Sequence, residues 1–178
     1  MRDYNLKSKR LALSNNLAPE YADALAELAN NRKIARDIGG HGFPHPYTRE
    51  DALFFLEKNR EEGDSFFDVD FLIFVDGKVA GAIGLSEIDW TDMKAHVGYW
   101  LGEEFWHRGY ATEALGAVVD FARDDLKLVR LYAKVLDYNL PSLRVLMKNG
   151  FNVEGYERKT FRMGDEYHSF FLVARIFD

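Results

Sequence analysis

A chain of 178 residues is within the range of a single folded domain and is long enough to enclose a sizeable core. Its hydrophobic fraction of 47% and charged fraction of 29% exclude a disordered chain, and a net charge of -6 argues against a general nucleic-acid binder, which needs a basic face for phosphates. Cysteine is absent, so disulfides, thiolate metal sites and cysteine nucleophiles are excluded together. No apolar run approaches the ~20 residues of a membrane span, and the opening MRDYNLKSKR lacks the apolar centre of a secretory signal. The expectation is a cytoplasmic protein with one domain over residues 1–178.

Lys9 to Ser14 predicts the first strand, with Leu11 and Leu13 alternating with smaller or polar neighbours. A helix follows from Pro19, a first-turn proline, with Tyr21, Leu25 and Leu28 at helical spacing as far as Asn30 or Asn31. Ile38 to Thr48 (IGGHGFPHPYT) is too rich in glycine and proline for a regular element and reads as a loop. Thr48 opens TRED, a capping-box-like start to a helix through Leu53, Phe54, Leu56 and Glu57. From Phe66 the pattern turns extended: FFDVDFLIFV runs to Val75, Asp76-Gly77 makes a two-residue turn, and KVAGAIGLSEID returns as the partner strand. Ala95 to Leu101 completes an antiparallel meander.

The next helix carries Ala111, Leu115, Val118, Val119, Ala122 and Leu126 on one side, and a strand from Val129 to Leu136 follows. A further helix starts near Asn139 or Leu140, has Pro141 in its first turn, buries Leu143, Leu146 and Met147, and stops at Gly150. Phe151 to Arg158 and Tyr167 to Ile176 are closing strands around a Met163-Gly164-Asp165 turn. The order predicts an α+β fold with helices packed on a mixed sheet, and no internal repeat or linker divides it.

Three segments could carry chemistry. Trp106 to Thr112 leads into a helix start, where unpaired N–H groups and a partial positive charge attract anions. Gly109 and Ala111 keep that backbone accessible, His107 and Arg108 add positive character, and Thr112 is followed by Leu115 where a capping box would need an acid. Glu113 would compete for the same field, and an ordinary turn with a solvated Arg108 would use the same residues. The strand before it, AHVGYWLGEE, puts His96, Gly98 and Trp100 on one face and Val97, Tyr99 and Leu101 on the other. A strand glycine such as Gly98 marks a close backbone approach or makes room for an aromatic. In DYNLPSLRVLMKNGF, Asn139 and Ser142 are natural helix caps.

In this order, WLGEEFWHRGYATEAL and NLPSLRVLMKNGF resemble the GNAT acetyltransferase superfamily, in particular the branch of the ribosomal-protein-alanine N-acetyltransferases. SKRLAL, FPHPYTREDALFFLE and AGAIGL are similar to that branch too, so the resemblance covers nearly the whole chain. It implies a mixed, centrally splayed sheet of about seven strands flanked by helices. It further implies acetyl-CoA as co-substrate, no metal, and an amine acceptor that is a protein N-terminus or a small molecule. No nucleic-acid or membrane partner is implied, and a homodimer is left open. The family's turn reads Gln or Arg, two residues, Gly, one residue, then Gly or Ala, and its amides hold the pyrophosphate. By position Gly109 and Ala111 match the small residues; His107, Arg108, Tyr110 and Thr112 lie in the cradle; Trp106 stands where the Gln or Arg would be. Trp100 and Leu101 fall where the splayed strand pairs with pantetheine, and Asn139 matches a cofactor-contacting Asn.

Acetyl transfer from a thioester needs a neutral amine, a stabilised oxyanion and a proton for the thiolate. An α-amine near 8 is roughly a tenth neutral at pH 7, against about 0.04% for a lysine near 10.4, so a weak base serves the first. Many members place a Tyr seven residues after the Asn as the acid; here that position is Leu146, and the resemblance to the ribosomal-protein branch makes Ser142 the candidate acid. His96 is the leading candidate base, on the strand beside the expected thioester, and Glu87 is the alternative, acting through water. His41, His45 and His168 show no metal-ligand spacing. GGHG lacks the GxSxG elbow of a hydrolase, and a Rossmann reading fails because the glycine turn follows an antiparallel meander. A non-catalytic acyl-CoA-binding module of the same fold is the alternative function. Loops Ile38 to Thr48 and Arg158 to Glu166, with Phe43, Tyr47 and Phe161, are expected to frame the acceptor.

Overall fold

In the computed structural model, residues 3–38, 43–58 and 69–177 are described. The chain opens with a hairpin of β1 (Asn5–Lys7) and β2 (Leu11–Ser14), Leu6 opposite Leu13. β1 was not predicted: three residues with one apolar member offer no alternation to read. A 3-10 turn at Pro19–Tyr21 leads into α1 (Ala22–Ala29), where the helix expected to reach Asn30 or Asn31 ends. A second helix, α2 (Arg32–Ile38), then follows where no helix was expected. Its sequence RKIARDI buries only Ile34, so it carries no apolar stripe, and the Asn31 carboxamide oxygen accepts the Lys33 N–H at 2.8 Å to start it. His41 and residues 39–42 of the expected loop lie outside the described residues, as do Phe66, Phe67 and Asp68 of the expected strand.

α3 (Arg49–Lys58) begins as TRED predicts: Asp51 accepts both the N–H and the hydroxyl of Thr48, at 2.8 and 2.7 Å. β3 (Val69–Val75), β4 (Lys78–Asp89) and β5 (Lys94–Leu101) form the meander, and Asp76 and Gly77 turn the first hairpin with φ of 49° and 77°. α4 (Tyr110–Asp124) crosses over to β6 (Arg130–Leu136), which therefore lies parallel to β5. After α5 (Leu140–Lys148), β7 (Asn152–Met163) and β8 (Glu166–Ile176) close the chain. The expected loop from Arg158 to Glu166 is therefore mostly strand. β7 continues through an irregular register between Glu157 and Phe161, with Lys159 at φ 52°, and then buries Phe161.

Among the described residues the sheet has eight strands, ordered β1-β2-β3-β4-β5-β6-β8-β7, every pair antiparallel except β5–β6. One face carries the larger core, in which Phe71, Ile83, Leu85 and Val97 of the sheet meet Leu115, Val118 and Phe121 of α4 and Leu146 of α5. Leu143 packs at its edge, whereas Met147, expected inside, is 55% exposed, one residue past the buried position. On the other face, among the described residues, Leu25, Leu56 and Tyr47 pack on Leu72 and Val79.

Candidate active site

β5 and β6 share only three pairs: Lys94 with Arg130, Ala95 with Leu131, and His96 with Tyr132. Beyond His96 the strands part. β5 stays paired with β4 as far as Leu101, while β6 follows β8 as far as Leu136, so among the described residues Val97 to Leu101 have no strand on the β6 side. The sheet is thus splayed at its centre, as the resemblance implied. Among the described residues a Cβ at Gly98 would meet only the His96 ring, at 3.7 Å, with no packed aromatic filling the space over this glycine.

At the end of β5 the chain turns into α4. Gly109 precedes the helix with φ 79° and ψ 5°, a left-handed conformation that costs glycine little, and His107 is at φ 60°. Among the described residues no side chain caps this helix, and its first internal bond runs from the Glu113 N–H to the Gly109 carbonyl at 3.1 Å. The amides of Tyr110, Ala111 and Thr112 therefore face out of the helix mouth, where the macrodipole adds roughly half a positive charge. Trp106, at the Gln or Arg position, donates its indole N–H to the Leu101 carbonyl at 2.7 Å and so staples the turn to β5.

The Glu113 carboxylate, expected to compete for the helix field, is engaged by the β1–β2 turn. Its Oε1 accepts the Ser8 hydroxyl at 2.7 Å and the Arg10 N–H at 2.6 Å, and its Oε2 accepts Arg10 Nε at 2.7 Å. Burial pushes this carboxyl up, but the hydrogen bonds from Ser8 and Arg10 outweigh it and hold the group below the usual glutamate range. Arg10 also donates Nη1 to the Arg108 carbonyl at 3.0 Å and lies over the Tyr110 ring at 4.7 Å. One side chain from the β1–β2 turn thus holds the glycine turn from outside, a role nothing in the spacing of SKRLAL announces.

α5 starts differently. The Asn139 carboxamide oxygen accepts the Ser142 N–H at 3.2 Å, and its nitrogen donates to the Asp37 carbonyl of α2, also at 3.2 Å. Both ends of the residue expected to touch the cofactor are therefore engaged by protein. Tyr138 donates to the Arg36 carbonyl at 2.7 Å, and at the far end of α5 Asn149 donates to the Thr112 carbonyl in the first turn of α4 at 3.1 Å. Ser142 is half-buried beside the splay, and its hydroxyl lies 2.9 Å from the hydroxyl of Tyr99 on β5.

The two candidate bases meet at the point of the fork. His96 Nδ1 is 3.2 Å from the Ser86 hydroxyl, and its ring meets the Tyr132 ring edge-on at 5.5 Å. A register irregularity between Ser86 and Asp89, with Glu87 at φ 53°, brings Glu87 to the same point, where its carboxylate accepts the Tyr132 hydroxyl at 2.6 Å. Burial first, then the bond to Glu87, raises the Tyr132 phenol to about 12. Trp100 on the same face as His96 meets Phe43 edge-on at 6.0 Å, and Phe43 packs on Tyr47 at 4.9 Å, so the 43–48 segment does reach the mouth of the fork. Tyr132, Tyr99 and Arg10 were not singled out from sequence, because their partners lie on other elements far along the chain.

Residues 10–152 match the family model described as Acetyltransferase (GNAT) domain. The chain is similar to the uncharacterised N-acetyltransferase p20 of Bacillus licheniformis, 28% identical with 91% of this chain and 92% of that protein covered. It is 32% identical to the ribosomal-protein-serine acetyltransferase of Escherichia coli, over 61% of this chain and 60% of that protein. Among solved structures it is similar in fold to RimL, a ribosomal alpha-N-protein acetyltransferase in complex with coenzyme A. The TM-score is 0.83, with 22% identity and coverage of 98% of this chain and 99% of that one. The chain belongs to the GNAT family of acetyltransferases.

Proposed function

We propose that this acetyl-CoA-dependent N-acetyltransferase passes the acetyl group directly to a primary amine in a ternary complex, with a protein N-terminal α-amine as the acceptor of choice and a small-molecule amine as the other. The observation that carries the reading is the alignment of an uncapped helix start with a fork that opens immediately after His96. The amides of Arg108 to Thr112 would hold the pyrophosphate, and the open edge from Val97 to Leu101 would pair with the pantetheine amides. Asn139 fixes the start of α5 and with it the backbone of Ser142. A chain without cysteine has no thiol on which to store the acetyl group, which favours direct transfer.

For the chemistry, His96 takes the proton of the attacking amine, with Glu87 and Tyr132 as the second route through water. Ser142 directs its hydroxyl at the departing sulfur. The acceptor side is walled by Phe43, Tyr47 and Trp100. An α-amine suits so light a base, because a useful fraction is already neutral at pH 7. The relationship to a ribosomal-protein-serine acetyltransferase supports the same acceptor.

The test is release of free CoA from acetyl-CoA in the presence of peptides with free N-termini and of small amines. Peptides blocked at the α-amine but carrying lysine should be poor acceptors, and turnover of lysine side chains with no α-amine activity would reject the preferred acceptor. Cofactor binding without turnover on any amine would make the chain a binding module. His96→Ala should lower kcat at least roughly tenfold with little change in KM for acetyl-CoA, as expected for loss of a general base; an unchanged kcat would pass the role to Glu87.

A further inference from the structure

Ser142 by itself is a poor device for a departing thiolate, since a serine hydroxyl rotates freely and is satisfied by whatever acceptor is near. Here its surroundings restrict that choice. Its N–H is tied to Asn139, which fixes the backbone from which the side chain projects. Tyr99 approaches from β5, on the face of that strand turned toward α4 and α5, with its hydroxyl 2.9 Å from Ser142 Oγ and 3.1 Å from the carbonyl of the same residue.

The phenolic proton can therefore go to either of two acceptors on one residue with no heavy atom moving. One arrangement has Tyr99 donating to the Ser142 carbonyl and Ser142 donating to the Tyr99 oxygen, which satisfies both hydroxyls. When charge develops on the sulfur, Ser142 can turn its proton outward, and Tyr99 can swing its own from the carbonyl to Ser142 Oγ. The serine oxygen then stays hydrogen-bonded while its O–H is polarised toward the thiolate.

We infer that Tyr99 is a positioning residue for the transfer: its hydroxyl holds Ser142 Oγ as an acceptor, so that the serine proton is aimed at the departing sulfur. This rests on the reading that Ser142 serves that sulfur. Burial raises the Tyr99 phenol well above its ordinary value, against a smaller opposing effect of the bond to Ser142, so Tyr99 stays a donor and no phenolate forms. Bonds and protons balance without one. The C–S bond breaks as the C–N bond forms, the amine proton leaves through the base, and the thiolate, hydrogen-bonded to Ser142, takes its proton from water. A thiol of ordinary pKa, about 8.5, is protonated at neutral pH without help.

The experiment is a double-mutant cycle on steady-state rates with Tyr99→Phe, Ser142→Ala and the double variant. Tyr99→Phe removes one oxygen and keeps the ring, and should lower kcat roughly fivefold, while Ser142→Ala lowers it roughly tenfold or more. KM for acetyl-CoA and the affinity for CoA measured by calorimetry should change by less than about twofold in both, since neither hydroxyl is asked to bind the ground state. In the Ser142→Ala background Tyr99→Phe should have almost no further effect. An unchanged kcat in Tyr99→Phe, or an equal fall with and without Ser142, overturns the inference. Full activity in Ser142→Ala removes Ser142 from the departing sulfur and Tyr99 with it, yet leaves acetyl transfer itself standing.

Discussion

α4 and α5 both begin beside the fork, and both must deal with unpaired amides. At α4 the preceding residue is a left-handed glycine with no side-chain cap among the described residues, and the first-turn carboxylate, Glu113, is held by Ser8 and Arg10. At α5 Asn139 folds its carboxamide oxygen onto the Ser142 N–H, and Pro141, which has no N–H, occupies the first turn. The open start leaves main-chain donors at the helix mouth. The closed start ties the Ser142 N–H to Asn139 and has no N–H at Pro141, and what lies beside the fork is the Ser142 side chain. The same problem of helix ends is thus handled in two ways, and the two starts are tied together by Asn149, which reaches from α5 to the Thr112 carbonyl.

The largest expected effect comes from closing the open start. Gly109→Asp should weaken CoA by more than about tenfold, because it sets a carboxylate against the pyrophosphate where the helix field favours negative charge. The substitution also strains a φ of 79°, so Gly109→Asn is the control, since Asn tolerates the left-handed region and carries no charge. Calorimetry should show Asn retaining most of the affinity that Asp loses; equal losses would mean that conformation, and not charge, governs the turn. Opening the closed start should act on stability instead. Asn139→Ala should cost about 1 kcal/mol from the lost cap, lowering the unfolding temperature by a few degrees. CoA affinity should stay within about threefold, because both ends of the amide serve protein partners. A large loss of affinity with unchanged stability would put Asn139 on the cofactor.

A smaller effect separates the two starts by pH. The Glu113 carboxyl is held below the usual range by Ser8 and Arg10 in spite of the opposing effect of burial. A carboxylate with a depressed folded-state pKa contributes stability that is fully present above the ordinary glutamate value, about 4.3, and is lost as pH falls through the folded value. Glu113→Gln should therefore lower the unfolding temperature at pH 7, and the difference from the parent protein should shrink as pH drops below about 4.3. A difference that persists into acid would assign the loss to packing and not to the charge.

How much of this was legible from the chain depends on the range of the interactions. The α4 start was readable because Gly109, Ala111 and the missing capping acid are neighbours in sequence, and the α5 start because Asn139, Pro141 and Ser142 are. Asp76-Gly77 gave its hairpin for the same reason. Arg10 was invisible because its partners Arg108 and Glu113 are brought to it only by the docking of the β1–β2 turn on α4, and Tyr99 because α5 arrives over β5 after a long crossover. Leu146 and Met147 show the limit of periodicity: two adjacent apolar residues both fit a stripe, and only the packing of α5 against the sheet decides that Leu146 is inside. α2 failed for the opposite reason, since one buried Ile34 is not a pattern.

The smallest expected effect concerns the side chain next to the glycine. Arg108 is exposed and its carbonyl, not its guanidinium, is the atom engaged by Arg10. If the open start works through main-chain amides, Arg108→Gln should weaken CoA by no more than about threefold at low salt, and the loss should fade as ionic strength shortens the Debye length below about 8 Å. Arg10→Met should behave otherwise, because it releases the Arg108 carbonyl and the Glu113 carboxylate together and lets a negative group back into the first turn. Its loss of affinity should exceed that of Arg108→Gln and persist in salt. If the order were reversed, with the exposed guanidinium dominating, the cradle would be a side-chain site, and the contrast between the two helix starts would reduce to surface charge.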